Sequence, residues 1–242
     1  MQNISEKDYY KLLNIAQEIS DFGPLLINHL QVTQNKRTYS LIFEAFRSLG
    51  AFSRLIQSEY LVQSSSVLRL FTEEVSKVII LEKYPELYAK FSKHCEVRES
   101  IIELTQKERK KKVIESFSLN KNQYQNALSY LDYGWIKSVN KDGKYGYHEM
   151  LKMAFVDDAI LVWIDRLDQF IHQNISTLSL AKEDYQNTKL DWIYLACFVF
   201  EKLFVSFHNL CGKEFTIKGK RLFEDEFWPL FERIIEYHST LK

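Results

Sequence analysis

The sequence contains little glycine and proline, 7 and 3 residues in 242. Both residue types mark turns and end regular elements, so their scarcity favours long helices over a sheet of many short strands. The Lys and Arg total of 32 equals the Asp and Glu total, which gives a net charge of zero. A neutral chain argues against a protein whose main activity is to coat nucleic acid, although it is compatible with a local basic patch.

Cysteine is also scarce, and its spacing matches no metal-ligand motif. An odd number of isolated cysteines is typical of reduced thiols, so we expect a cytoplasmic protein. The N-terminus lacks a basic region followed by an apolar run, so we expect no secretory signal there. The most apolar window is interrupted by Glu201 and Lys202 and predicts a core helix, not a membrane span. The cysteines are Cys95, Cys197 and Cys211.

The common catalytic and cofactor motifs are missing. The chain has no Gly-rich phosphate loop, no HExxH, no CxxC and no GxSxG serine elbow. We therefore expect no cofactor and no metal. An enzyme with this sequence would have to use arginine, glutamate, aspartate and histidine side chains.

Such side chains are concentrated in the stretch from Asp157 to Ser176, whose apolar residues recur at helical spacing. On a regular helix Asp165, Asp168 and His172 lie at i, i+3 and i+7 and line one stripe. Arg166 precedes His172 by six residues, which places it about 120° away around the axis. The set is either a group of surface charges with a hydrogen-bonded terminal histidine or one half of an acid/base or phosphate-contacting site.

A second polar set lies on the predicted helix that Pro85 ends. Glu74 falls inside the broad apolar arc of this helix, whereas Arg69 and Glu73 lie on the opposite side at i, i+4. The pattern fits an ordinary surface ion pair as well as a functional pair.

The clearest loop runs from Gly134 to Gly146. Trp135, Lys137 and Lys144 would stack on and neutralise a nucleic acid there, and they are the predicted substrate-binding residues. Turn chemistry alone accounts for the stretch 140–143.

Four segments together resemble uncharacterised bacterial proteins of HEPN-like helical architecture. They are LRLFTEE, YGWIKSV with KYGYHEML, DRLDQFIHQN, and the long apolar helix after them. The resemblance covers about residues 38–210, and its most recognisable positions are Arg69, Glu73, Trp135 and His172. It implies an all-α fold, with residues 1–242 forming a single-domain antiparallel helical bundle. Further helices would flank the HEPN-like core of residues 38–210 at both ends, and the protein would be a homodimer.

Many HEPN proteins are toxin or phage-defence ribonucleases with a histidine a few residues after an arginine. Arg166 and His172 satisfy that spacing. The resemblance therefore implies a protein of bacterial defence or stress response that cleaves RNA without a metal ion. His172 would be the general acid or base, and Arg166 would stabilise the phosphate charge. Arg69 and Glu73 complete the candidate catalytic set, and Asp168 joins the candidate substrate-binding set.

Two other hypotheses remain open. In the first, the chain is a non-catalytic interaction module that binds a protein partner, and Arg69, Glu73 and His172 form a buried polar network that fixes helix register. In the second, carboxylates and a histidine bind Mn, Fe or Zn. The ligands in that case would be Glu73 or Glu74 with Asp165, Asp168 and His172.

Overall fold

The computed structural model describes residues 4–21, 36–120, 123–155, 158–172, 182–208 and 219–240. Every secondary-structure element within these residues is helical, which confirms the all-α prediction. The α-helices are α1 (Glu6–Asp21), α2 (Lys36–Gln57), α3 (Leu61–Lys83), α4 (Tyr88–Glu99), α5 (Gln106–Phe117), α6 (Ala127–Tyr133), α7 (Tyr147–Ala154), α8 (Asp158–His172), α9 (Lys182–His208) and α10 (Trp228–Thr240). Pro85–Leu87 and Gly134–Ser138 are 3₁₀ turns, and Leu222–Phe227 is π-helical.

The helices divide into two compact units. Unit 1 comprises residues 1–78 and 157–242, and unit 2 comprises residues 79–156, so the division falls within α3. Among the described helices, none combines the length and the apolar character that crossing a membrane requires. The HEPN-like bundle, the single domain over residues 1–242 and its core at 38–210 stay predictions.

Unit 1 is built around α9, which contacts α1, α2 and α8. The helix is apolar on most of its circumference, and a helix of that kind must be covered on several sides. Helix α1 lies against α2, the π-helical turn and α10 as well, so it joins the N- and C-terminal parts of the unit. The buried apolar residues of α9 are Trp192, Ile193, Leu195, Ala196, Cys197, Val199, Phe200, Leu203 and Phe204.

A covered lysine on α9 ties three elements together. Lys189 is only 2% exposed, and its ammonium group lies 2.7 Å from the Glu59 carboxylate and 3.6 Å from that of Glu6. The same ammonium lies over the Tyr10 ring. Glu59 sits in the turn between α2 and α3 with a positive φ of 64°, and its carbonyl accepts a hydrogen bond from the Tyr185 hydroxyl. These contacts fix the α2–α3 turn against α9 and α1.

A second covered polar group lies between α2 and α3. Glu74 is 8% exposed, and burial raises its pKa to about 7 even though the Ser48 hydroxyl donates a hydrogen bond to it. Its apolar neighbours on α3, Leu68, Phe71 and Val75, are fully buried. The sequence placed Glu74 inside the apolar arc of this helix, and the structure confirms that placement.

Unit 2 has its own small core beneath α4, α5 and α6. A capping box opens α5, because Thr105 and Glu108 each bond the backbone N–H of the other. Pro85 ends α3 as predicted, and Asn140 bonds the Asp142 N–H and the Lys144 carbonyl in the predicted turn. The buried core residues are Val97, Ile101, Val113, Leu119, Ala127 and Leu131.

The Lys189 cluster yields a stability prediction. Replacing Glu59 by alanine removes the nearest acceptor of a covered ammonium group, and we expect a loss of about 2 kcal/mol in the free energy of unfolding. Glu59→Gln keeps an acceptor of similar shape and should lose less. Urea denaturation of both variants gives the comparison. A Glu59→Ala protein as stable as the wild type would show that the cluster contributes nothing.

Candidate functional site

The candidate site is a cavity of about 780 Å³ inside unit 1. Helices α8, α9 and α10 supply its walls, and Tyr9 of α1 contributes one side chain. This volume falls within the range of about 300–1,000 Å³ that is usual for small-ligand pockets. Val162 and Tyr237 line the cavity and are 54% and 37% exposed, so it reaches the surface of the unit.

Arg166 brings a positive charge to the cavity. It is an exposed residue of α8, and its guanidinium lies 5.0 Å above the centre of the Trp163 ring. A cation held over an aromatic face keeps its charge and its hydrogen-bond donors. Arg166 is therefore positioned to contact an anion that enters the cavity.

Tyr9 and His238 form a hydrogen-bonded pair that also lines the cavity. The Tyr9 hydroxyl lies 2.9 Å from Nε2 of His238, although the two residues are 229 positions apart in the sequence. The imidazole is tilted against the Tyr194 ring at 4.4 Å, and the Trp163 ring meets it edge-on at 6.1 Å. Burial lowers the pKa of His238, so the ring is neutral at physiological pH.

Asp191 of α9 contributes a carboxyl group to the cavity lining. Burial raises its pKa to about 6, and the attraction of the Arg166 charge opposes that rise. Its neighbours Trp192 and Ile193 are buried in the core of α9. A carboxyl with this pKa exchanges a proton near neutral pH, which an exposed aspartate does not do.

The cavity thus combines three kinds of chemical group: a cation, a neutral histidine and a carboxyl of raised pKa. A neutral imidazole of lowered pKa can accept a proton, a carboxyl with a pKa of about 6 can donate one, and an arginine is suited to binding a phosphate or carboxylate. Aromatic walls suit a planar ligand.

The structure brings together Arg69, a candidate catalytic residue, and Asp168, a candidate substrate-binding residue. Arg69 of α3 and Asp168 of α8 form a salt bridge with 2.9 Å between Nε and Oδ1, and their side chains are 35% and 15% exposed. The pair joins two helices of unit 1. Neither residue lines the cavity.

The other two candidate catalytic residues also lie outside the cavity lining. Glu73 pairs with Lys77 on the same helix at 2.7 Å. His172 is exposed at the end of α8, so it does not belong to a buried network with Arg69 and Glu73. The sequence prediction for the segment that contains His172 is confirmed as a helix over Asp158–His172; residues 157 and 173–176 lie outside the described residues.

The three predicted nucleic-acid contacts belong to unit 2. Trp135 is 1% exposed; its indole N–H donates to the Asp132 carbonyl and its ring meets Phe91 edge-on. Lys137 and Lys144 are exposed. Lys137 and Trp135 line a second cavity inside this unit.

The metal-binding hypothesis required Glu73 or Glu74 to lie beside Asp165, Asp168 and His172. Within the part of the chain that the structure describes, which includes all five residues, no three His, Cys, Asp or Glu side chains lie close enough together to hold a metal ion. Glu73, Glu74 and Asp168 instead contact Lys77, Ser48 and Arg69, respectively. This hypothesis is therefore dropped.

Sequence reasoning did not single out Tyr9, His238 or Asp191. Asp191 carried a usable signal, because a carboxyl inside the longest apolar helix must be paired or must border a cavity. Tyr9 and His238 carried none, since only the tertiary fold brings the two ends of the chain together.

Comparisons with protein-family models, curated proteins and solved structures found no match to this chain. The chemical interpretation of the cavity accordingly depends on its own geometry.

The raised pKa of Asp191 predicts a pH-dependent stability. A carboxyl whose pKa is about 6 in the folded state and 3.8 in the reference state favours folding below about pH 4, and this contribution is lost as the pH rises through 6. We expect the Asp191→Asn variant to gain on the order of 2 kcal/mol relative to the wild type between pH 4 and pH 7. Thermal or urea unfolding across this range measures the difference.

Asp184→Asn, which changes an exposed aspartate of the same helix, is the matched control. Its difference from the wild type should stay nearly constant over the same pH range. Parallel curves for the wild type and Asp191→Asn would contradict the proposed environment of Asp191.

Proposed function

We propose that the protein is a metal-independent ribonuclease that binds a nucleotide of single-stranded RNA in the unit 1 cavity. The supporting observation is that Arg166 shares one cavity with the neutral His238 imidazole and the Asp191 carboxyl of raised pKa. Arg166 also belongs to the pair suggested by the HEPN resemblance. In this proposal His238 takes the role that the sequence assigned to His172.

The proposed reaction is an intramolecular displacement at phosphorus. With Nε2–H of His238 donating to the Tyr9 hydroxyl, Nδ1 accepts the proton of the ribose 2′-hydroxyl, whose oxygen forms a bond to the phosphorus atom. The bond from phosphorus to the 5′-oxygen breaks, and that oxygen takes a proton from the neutral form of Asp191. The products are a 2′,3′-cyclic phosphate and a 5′-hydroxyl. Arg166 balances the charge that accumulates on the phosphate oxygens.

The proposed activity needs a pH above the pKa of His238 and not far above that of Asp191. The base must be neutral, which the lowered pKa of His238 favours, and the acid must be protonated, which the pKa of about 6 for Asp191 allows. Activity would fall at higher pH as Asp191 loses its proton. It would fall at lower pH as His238 gains one.

The wider setting belongs to the same proposal. We infer a cytoplasmic, HEPN-like, homodimeric protein of bacterial defence or stress response, in keeping with the sequence resemblance. The exposed Lys137 and Lys144 stay predicted RNA contacts, whereas Trp135 has no RNA contact in this proposal because it is 1% exposed and its indole N–H donates to the Asp132 carbonyl. The sequence of the RNA is open.

A second candidate function is a non-catalytic module that binds a protein partner. The salt bridge between Arg69 and Asp168 supports it, because the pair joins α3 to α8. A candidate catalytic residue and a candidate substrate-binding residue thus make a structural contact. A structural ion pair of this kind contributes about 1 kcal/mol or less when it is partly exposed. If this were the function, the wild type would not cleave RNA, and substitutions in the unit 1 cavity would not change that result.

The decisive assay is cleavage of a single-stranded RNA of mixed sequence in the presence of EDTA. We expect Arg166→Ala and His238→Gln each to lower the rate by about a hundredfold, whereas His172→Ala should retain the wild-type rate. Arg54→Ala changes an exposed arginine of unit 1 outside the cavity lining and is the matched control. Melting temperatures of all variants separate lost chemistry from lost folding.

Three outcomes would contradict the proposal. Loss of activity in EDTA would point to a metal-dependent reaction. Loss in His172→Ala together with full activity in His238→Gln would return the catalytic role to His172. No cleavage by the wild type between pH 5 and pH 8 would favour the interaction module.

A further inference from the structure

A second cavity lies within unit 2, and it differs in chemistry from the cavity of unit 1. Its volume is about 430 Å³, within the range of about 300–1,000 Å³ for small-ligand pockets. Helix α4, the end of α5, α6 and the 3₁₀ turn after α6 supply its lining. It is built entirely from one unit, so its shape depends only on packing within that unit.

The rim of this cavity is positively charged. Lys90, Lys93 and Lys137 line it and are exposed, and none of the described residues that line it is acidic. Three ammonium groups around one opening attract an anion, and a phosphate that carries nearly two charges gains most from them. The chain as a whole is neutral, so this concentration of lysine is local.

The inner wall of the cavity is aromatic. His94 and Phe117 lie 4.2 Å apart between ring centres, and Tyr130 lies 5.5 Å from each of them. The Tyr130 ring also closes over Gly134, where an added Cβ would approach it to 2.8 Å. A glycine is therefore required at this point for the wall to keep its shape. The wall offers apolar surface and ring edges to a planar ligand.

His94 adds a ring whose hydrogen-bond donor and acceptor atoms can be assigned. It is 5% exposed, and its Nδ1 lies 2.9 Å from the Leu131 carbonyl oxygen. A carbonyl only accepts, so Nδ1 carries the proton, and burial together with the nearby Arg98 and Lys93 charges lowers the pKa of the ring. The neutral ring consequently has Nε2 as an acceptor. The Ser138 hydroxyl at the rim adds a donor.

We propose that this cavity binds a nucleoside monophosphate. The lysine rim would hold the phosphate, the wall formed by His94, Phe117 and Tyr130 would contact the base, and His94 and Ser138 would bond hydroxyl or amino groups of the ligand. This site is independent of RNA cleavage in unit 1. A protein without ribonuclease activity would still bind the nucleotide.

Calorimetric titration of the whole chain with AMP, adenosine and inorganic phosphate tests the proposal. We expect AMP to bind at least tenfold more tightly than either of its fragments. The double variant Lys93→Gln with Lys137→Gln should weaken AMP binding at least tenfold. The matched control, Lys107→Gln with Lys112→Gln, removes two exposed lysines of α5 outside the cavity and should bind as the wild type does.

The Arg166→Ala variant shows whether AMP binds in unit 2 or in the cavity of unit 1. Full AMP binding by this variant supports the unit 2 site. AMP binding that is lost with Arg166→Ala but kept by the Lys93/Lys137 variant would place the ligand in unit 1 and overturn the proposal. Equal affinity for phosphate and AMP, equal affinity for adenosine and AMP, or no binding of AMP would overturn it as well.

Discussion

The burial of α9 is the constraint on which the architecture of unit 1 depends. Its 27 residues are apolar on most faces, so α1, α2 and α8 must cover them. A polar residue inside such a helix must then find a partner or border a cavity, because an isolated buried charge is costly. Lys189 pairs with Glu59, and Asp191 borders the cavity that Arg166 also lines. Two charged residues of α9, two positions apart, therefore have different roles: Lys189 stabilises the packing of unit 1, and Asp191 belongs to the candidate site.

The two cavities show how one helical fold can offer two unlike sites. In unit 1 an arginine shares its cavity with a carboxyl whose pKa burial raises to about 6 and a histidine whose pKa burial lowers, and such a group can move protons. In unit 2 three lysines surround an aromatic wall with no acidic lining residue, and such a group can hold an anion without reacting with it. Packing of aromatic rings shapes both. The difference between them lies in the charges that their helices contribute.

Helix periodicity predicted much of the local structure but little of the site. It predicted a helix that the structure shows over Asp158–His172, and it predicted that Glu74 lies within the apolar arc of α3. It could not give the hydrogen bond between Tyr9 and His238, because only tertiary packing brings the two ends of the chain together. It also could not give the partner of Arg69, since spacing within one helix indicates Glu73 whereas packing between helices supplies Asp168. Arg166 was a candidate because its spacing from His172 matched the HEPN pattern, whereas the cavity that it lines depends on the positions of α9 and α10, which that spacing does not give.

The most direct test of the central claim is to locate bound RNA on the protein. Single-stranded RNA that carries 4-thiouridine can be cross-linked by near-ultraviolet light, and the modified peptides can be identified by mass spectrometry. The account predicts cross-links at the aromatic residues of the unit 1 cavity, Trp163, Tyr194 and Tyr237, and their loss in Arg166→Ala. Cross-links confined to residues outside that cavity, or cross-links unchanged in Arg166→Ala, would contradict it.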